Sequence, residues 1–301
     1  MKNTYCLLLT FFLLLTAYCL PLNAQTVINP RRALVINPPA GGGGYNAMAQ
    51  TYFDYGGFTL ADSQKTNISE WCDCIDDTLN AGARNKTIQE LGFIRFWWFV
   101  NGDSVASKTD FATGELITNN GTTWTQWDGF LGNGTSTYLN LNFVPSTEGG
   151  TIFVQNSASF GLGTPTARAG GTGYYNGVWK AWINPRYGSS GTRMSLNGPI
   201  WIEGVDHVSN GHHFLSRTTS TLMAYTRNNG TEDTDAGASQ TLPAYTIYLG
   251  ALNDNGAGVL GFDALRFYYY FAGKGFTSTE RRGIVNCNEL YLDGIGKGLI
   301  P

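Results

Sequence analysis

The stretch from Tyr245 to Tyr291, YTIYLGALNDNGAGVLGFDALRFYYYFAGKGFTSTERRGIVNCNELY, decides the fold class of this chain. Residues 245–252 read as a strand, 253–261 as a loop rich in Gly and Asn, and 265–273 as a second strand crowded with the aromatic side chains that suit a pleated surface. Thr277 followed three residues later by Glu280 spells a capping box, in which each side chain satisfies an orphan amide at a helix start, so a short C-terminal helix is expected. Two strands and a closing helix predict a mainly β domain.

Composition points the same way. Among 301 residues there are 39 glycines, aromatics make up 14% and charged residues only 14%. That is the profile of a strand-rich chain with many turns, not of a helical bundle or a disordered segment. The formal net charge is −3, and no basic patch offers itself to a nucleic-acid backbone or an anionic membrane. From Asp110 to residue 301, segments such as TYLNLNFVP, TIFVQNSASFG and TLMAYTRNNG alternate with Gly, Asn and Asp turns at a spacing that suits an antiparallel sandwich.

Residues 1–24 read as a secretory signal, with Lys2, an apolar run from Cys6 to Leu20, and Pro21 to Ala24 before Gln25. The mature protein is therefore expected to be secreted or at the cell surface, with no further segment able to span a membrane. An uncleaved anchor, or a lipid attached at Cys19 despite the bulk of Tyr18, are the alternatives. Residues 25–44 carry VINP twice and end in four glycines, and they read as an extended arm or linker. Because proline removes a ladder donor, the arm either pairs with a neighbouring copy, giving self-association, or starts an edge of its own sheet.

Residues 45–109 form a helical lead-in and a first strand. Asn46 caps a helix bearing Met48, Tyr52 and Tyr55, and Ile68, Trp71, Cys72, Ile75 and Leu79 recur at helical spacing in a second. Cys72 and Cys74 point in different directions from that helix, so a bridge between them is disfavoured. In an oxidising compartment, Cys72 or Cys74 bonded to Cys287 would tie the first long helix to the last, and three buried thiols are the alternative.

In order along the chain, LADSQKTNISEW, IRFWWFVNGDSVASK, GFLGNGTSTYLNLNFVPS, FVQNSASFGLGT, GHHFLSRTTSTLMAYTRNNG and YLGALNDNG resemble landmarks of the concanavalin A-like (LamG-like) jelly-roll superfamily, in the form seen in phage virion and bacterial surface proteins. The likeness runs from about Tyr45 to about Gly296, with Gln64 standing where that family has an acidic Glu. It implies an antiparallel jelly-roll β-sandwich with two N-terminal helices, and a role in glycan binding or in building surfaces. Many such domains hold calcium in loops, and Asp233, Asp235 and Asp254 are the oxygen donors at hand.

Catalytic patterns are sparse. Glycosidases on this fold place Glu-x-Asp-x-Glu on one strand face, a motif that is absent, and Glu203 with Asp206 in WIEGVDH would fall on opposite faces. None of His207, His212 and His213 has the Gln two positions earlier that related lyases use. There is neither a nucleophile elbow nor a Walker loop. The sequence thus predicts a protein that is not an enzyme, with a polysaccharide-acting enzyme as a rival should two carboxylates, or a His, a Tyr and an Arg, converge on one point.

Binding has better material, since aromatic rings stack on the apolar faces of sugars while amides and guanidinium groups bond the hydroxyls. Tyr174, Tyr175, Trp179 and Trp182 cluster in sequence with Arg186 close by, and strand alternation puts Trp179 and Trp182 on opposite faces, so the two indoles cannot both be core. His213 and Arg217 share a face of HHFLSRT and form a second candidate. The expected partner is a glycan or cell-surface polysaccharide. The rival without a sugar ligand is a self-assembling structural subunit of a filament or virion, joined through residues 25–44.

Overall fold

The computed structural model describes residues 44–80, 86–166, 176–187, 191–198, 202–204 and 209–301. The expected leader and residues 25–43 of the expected arm lie outside them. One antiparallel sheet has six strands in the spatial order β1 (Phe93–Trp98), β18 (Tyr269–Gly273), β6 (Ala158–Thr164), β11 (Gly211–Arg217), β12 (Met223–Arg227) and β13 (Asp233–Asp235). A nine-stranded sheet runs β10 (Ile202–Gly204), β9 (Gly191–Leu196), β8 (Ala181–Tyr187), β7 (Asn176–Val178), β14 (Tyr248–Leu249), β5 (Tyr138–Asn140) and β2 (Thr118–Asn120). The hairpin of β15 (Leu252–Asn253) and β16 (Val259–Leu260) joins it through β7, and the β7–β15 pairing is parallel, a departure from the all-antiparallel expectation. A small third sheet holds β3 (Thr123–Thr125), β4 (Gly129–Leu131) and β17 (Arg266–Phe267). The helices are α1 (Ala47–Asp54), α2 (Asp62–Asn80), the single turn α3 (Pro145–Glu148) and α4 (Ser278–Gly294).

The protein is therefore a mainly β sandwich with helices. One core fills the space between the two large sheets, with Trp97, Phe160, Leu162, Leu215 and Tyr270 from the six-stranded sheet meeting Leu139, Val178, Ile183, Met194 and Leu249 from the other. A second core lies on the opposite face of the six-stranded sheet, where Phe93, Phe96, Trp98, Phe214, Tyr269 and Phe271 meet Tyr52 of α1, Ile68, Trp71 and Ile75 of α2, and Ile284 and Tyr291 of α4. The six-stranded sheet is thus apolar on both faces. This explains the unbroken run YYYFA, since a strand covered twice has no polar side to alternate with.

Glycines make room for this covering. A Cβ on Gly161 or Gly163 of β6 would collide with the rings of Phe271 and Tyr269, which lie where those side chains would stand. Phe96, Tyr269 and Phe271 stack nearly parallel, and Phe93, Trp71 and Phe214 meet that stack edge-on or tilted. Helices α2 and α4 approach closely at Gly283, whose missing side chain is replaced by Thr78, and are locked by a Cys74–Cys287 disulfide with a Cα–Cα distance of 5.6 Å. Cys72 stays a buried thiol, its pKa pushed up by burial.

The Tyr245–Tyr291 stretch departs from its reading in three places. The strand expected over 245–252 is two short pieces, β14 and β15, that both lie along β7. The strand expected over 265–273 breaks at Tyr268, whose carbonyl accepts the amides of both Phe99 (2.8 Å) and Val100 (3.1 Å) while the chain steps from the small sheet into the six-stranded one. The closing helix carries the expected capping box but is 17 residues long, not short, because its Ile284, Val285, Cys287, Tyr291 and Leu292 keep finding apolar cover. Among the described residues no helix is long and apolar enough to cross a membrane.

Candidate functional site

With helices over one sheet and the inter-sheet core behind it, the outer face of the nine-stranded sheet is the sheet face on which no described helix packs. Leu139 of β5 and Leu249 of β14 point into the core, so alternation turns Tyr138, Asn140 and Tyr248 outward. The Tyr138 and Tyr248 rings lie 4.6 Å apart between centroids at 39°, and both are half-buried. Burial first, and then the neighbouring Tyr138, raise the Tyr248 phenol above its ordinary value. Asn140 sits opposite Tyr248, and its side-chain oxygen accepts the Thr246 hydroxyl at 2.8 Å and the Asn142 amide at 2.9 Å. The Asn142 side chain in turn donates to the Thr118 hydroxyl of β2. The result is a tyrosine pair bordered by a strip of oriented amides and hydroxyls.

The row continues across the sheet as Tyr248, Gly177 and Trp182 in register. Gly177 has φ 149°, and a Cβ there would collide with the Ala181 carbonyl oxygen and with Trp182, so bare backbone is obligatory at this point. Trp182, between the core residues Ala181 and Ile183, faces outward as alternation requires, yet it is only 7% exposed. Trp179, in the turn that follows β7, is 48% exposed, and its amide donates to the Asn253 carbonyl at 3.1 Å. Tyr245 is 43% exposed, with its ring against Gly256. Asn253 holds the turn between these two rings, donating to the Thr246 carbonyl at 2.9 Å and accepting the Gly256 amide at 2.9 Å.

The remaining sequence candidates fall elsewhere. Tyr174, Tyr175, Asp206 and His207 lie outside the described residues, as do the side chains of Arg186 and Glu203. His213 and Arg217 do share a face, but that face looks into the sandwich. His213 is fully buried, with its ring nitrogens bonded to the Tyr225 hydroxyl and the Ser209 carbonyl at 2.9 Å each. Arg217 is 1% exposed and donates to the carbonyls of Leu196 (2.8 Å) and Gly237 (2.9 Å). These two are corrected from ligand contacts to internal ties, because strand alternation says which residues share a face and not which face is open. Asp233 and Asp235 sit on edge strand β13 of one sheet and Asp254 on a turn of the other, so the three acids form no common calcium site. Among the described residues no group of three or more His, Cys, Asp or Glu side chains could hold a metal.

Sequence reasoning passed over a buried chain on the helical side. The Tyr269 hydroxyl meets His212 Nδ1 at 2.7 Å, and His212 Nε2 meets the Glu289 carboxylate at 2.6 Å. That carboxylate also accepts the amides of Leu299 (3.0 Å) and Ile300 (2.8 Å). Burial pushes the Glu289 carboxyl up, but the bonds from His212 and the two amides outweigh it and hold it below the usual carboxylate range. All three side chains are buried, so the chain clamps the C-terminal segment to the sheet. Only the position of His212 on the face opposite His213 hinted at it.

No protein-family model and no curated protein matches the sequence. Among solved structures, domain 4 of a GH43 extracellular arabinanase from Geobacillus stearothermophilus, in complex with arabinotriose, aligns over 64% of this chain and 98% of that domain, with 13% identity and a TM-score of 0.41. The Trypanosoma rangeli sialidase in complex with sialic acid aligns over 76% of this chain and 39% of the sialidase, with 8% identity and a TM-score of 0.45. The same enzyme with 2,3-difluorosialic acid gives 11% identity, 76% and 40% coverage, and a TM-score of 0.43. Likeness at this level carries no argument about ligand or mechanism. The expectation from the sequence that the chain is not an enzyme is withdrawn: the structures that align are an enzyme and a domain of one.

Proposed function

We propose that this chain is an exported carbohydrate-binding β-sandwich of the concanavalin A-like kind, attaching to polysaccharide at a cell surface through the outer face of its nine-stranded sheet. The observation that supports the reading is the Tyr138–Tyr248 pair, with Asn140 and Thr246 beside it, on the sheet face that no described helix covers. Tilted neighbouring rings offer an apolar platform for a sugar face, and the amide and hydroxyl groups along its border match sugar hydroxyls as donors and acceptors. Such binding serves adhesins and polysaccharide-acting enzymes alike, because function lives in sites grafted on a fold.

A glycan array probed with the full chain, with and without calcium, tests this. Binding to at least one glycan class is expected, and Tyr248→Ala, checked for folding by circular dichroism, should weaken it about tenfold or more. Unchanged binding by the folded Tyr248→Ala variant would remove the sheet face from the reading.

A further inference from the structure

We infer that Phe262 is a third ring of the Tyr138–Tyr248 platform, and that the platform so enlarged takes an uncharged saccharide. The inference rests on the sheet-face reading above and adds to it one contact residue and the charge class of the ligand. The Phe262 ring is half-buried and lies 6.4 Å from the Tyr138 ring between centroids, tilted by 47°, and Tyr138 in turn lies 4.6 Å from Tyr248. The residue that follows fixes Phe262 in place. Asp263 is fully buried, its amide donating to the Gly250 carbonyl at 2.7 Å and its carboxylate accepting the Asn176 side-chain amide at 3.2 Å. Asn176 also accepts the Gly250 amide at 2.7 Å, so the chain just after Phe262 is pinned to β7 and to the end of β14. The backbone that carries the third ring is therefore set before any ligand arrives, which lowers the ordering cost of binding.

The border of the platform sets the charge class. Strand pairing puts Asn120 opposite Tyr138 and Thr118 opposite Asn140 on β2, the last strand of the sheet, where Thr118 is exposed and Asn120 half-buried. The three rings are thus bordered by Thr118, Asn120, Asn140 and Thr246, none of which carries a charge. The acid next to Phe262 in sequence, Asp263, is turned into the protein and bonded there to Asn176. Neutral sugar hydroxyls match such a border, because amides and hydroxyls both donate and accept, while the rings meet the apolar sugar faces. A uronate or sialate would instead need a cation for its carboxylate, which this border does not supply, and would approach a chain whose formal net charge is −3.

Calorimetric titration of the full chain with neutral oligosaccharides (arabino-, xylo-, cello- and manno-series) and with oligogalacturonate tests both parts. At least one neutral series should bind, and oligogalacturonate should bind about tenfold more weakly or not at all. Phe262→Ala should weaken the neutral ligand about fivefold or more, and Phe262→Tyr should retain it. Phe262→Leu, which keeps most of the apolar bulk and with it the fold, should weaken binding too, because the flat ring face is what stacks. Circular dichroism checks the folding of each variant. If folded Phe262→Leu binds like the native chain while Tyr248→Ala does not, Phe262 lies outside the site and the sheet-face reading stands. Equal or tighter binding of oligogalacturonate would overturn the uncharged class. Absence of binding to every saccharide would overturn the inference together with the reading it rests on.

Discussion

The two large sheets of this sandwich share one core and differ in what their other faces meet. On the six-stranded sheet that face carries glycines and stacked rings, fitted against α1, α2 and α4 and closed by a disulfide. On the nine-stranded sheet it carries a tyrosine pair and a strip of amides and hydroxyls with no described helix above them. The same residue type therefore does different work on the two sheets. Tyr269 is fully covered and its hydroxyl is bonded inside the protein, whereas Tyr248 keeps part of its ring in solvent. Aromatic content alone marks neither a core nor a site, and cover decides between them.

The difference can be broken most forcefully on the covered side. Phe271→Ala would remove a buried ring that contacts Phe93, Phe96 and Phe214, and should cost about 3–5 kcal/mol in urea unfolding, as truncations of buried Phe do. Replacing Cys74 and Cys287 together by Ser opens a link that spans 213 residues of sequence and should cost about 2–4 kcal/mol in the same measurement. If neither variant is destabilised, the helical layer is not what anchors the six-stranded sheet.

A smaller, pH-dependent loss is expected at the clamp on this side. Since the folded-state Glu289 carboxyl lies below its ordinary value, its stabilising contribution is present above about pH 4.3, the unfolded value, and fades as the pH falls through the folded one. Unfolding free energies measured from pH 6 to pH 3 should show this acid limb in the native chain and a flatter one in Glu289→Gln. Equal slopes would remove Glu289 from the account. On the open sheet, Tyr248→Ala should cost about 1 kcal/mol or less in stability while lowering glycan affinity, so that a large loss of stability there would erase the contrast between the faces.

Parts of this structure were legible beforehand for local reasons. The capping box at Thr277 and Glu280 involves neighbours in sequence, and the aromatic crowding around YYYFA marks a strand by its own composition. Cys287 was expected to meet the first long helix, while the choice of Cys74 over Cys72 depended on which side of that helix faces α4. The candidate site was legible only in pieces. Trp179 was singled out from the sequence and is exposed, whereas His213 and Arg217 were placed on the right strand and turned out to face inward. Tyr138 and Tyr248 were not singled out, because nothing near either residue in sequence reveals the other.

By itself the sequence determined the kind of structure: periodicity, turn residues and caps are read over a few positions, and they specify strands, a sandwich and helices at either end of the domain. The tertiary structure alone decided which sheet receives the helices, and with that which aromatic rings are core and which meet solvent. The physical reason is that a strand's alternation distinguishes its two sides without naming them. Burial depends on what distant segments lay against each side, a long-range choice that no local pattern of residues encodes.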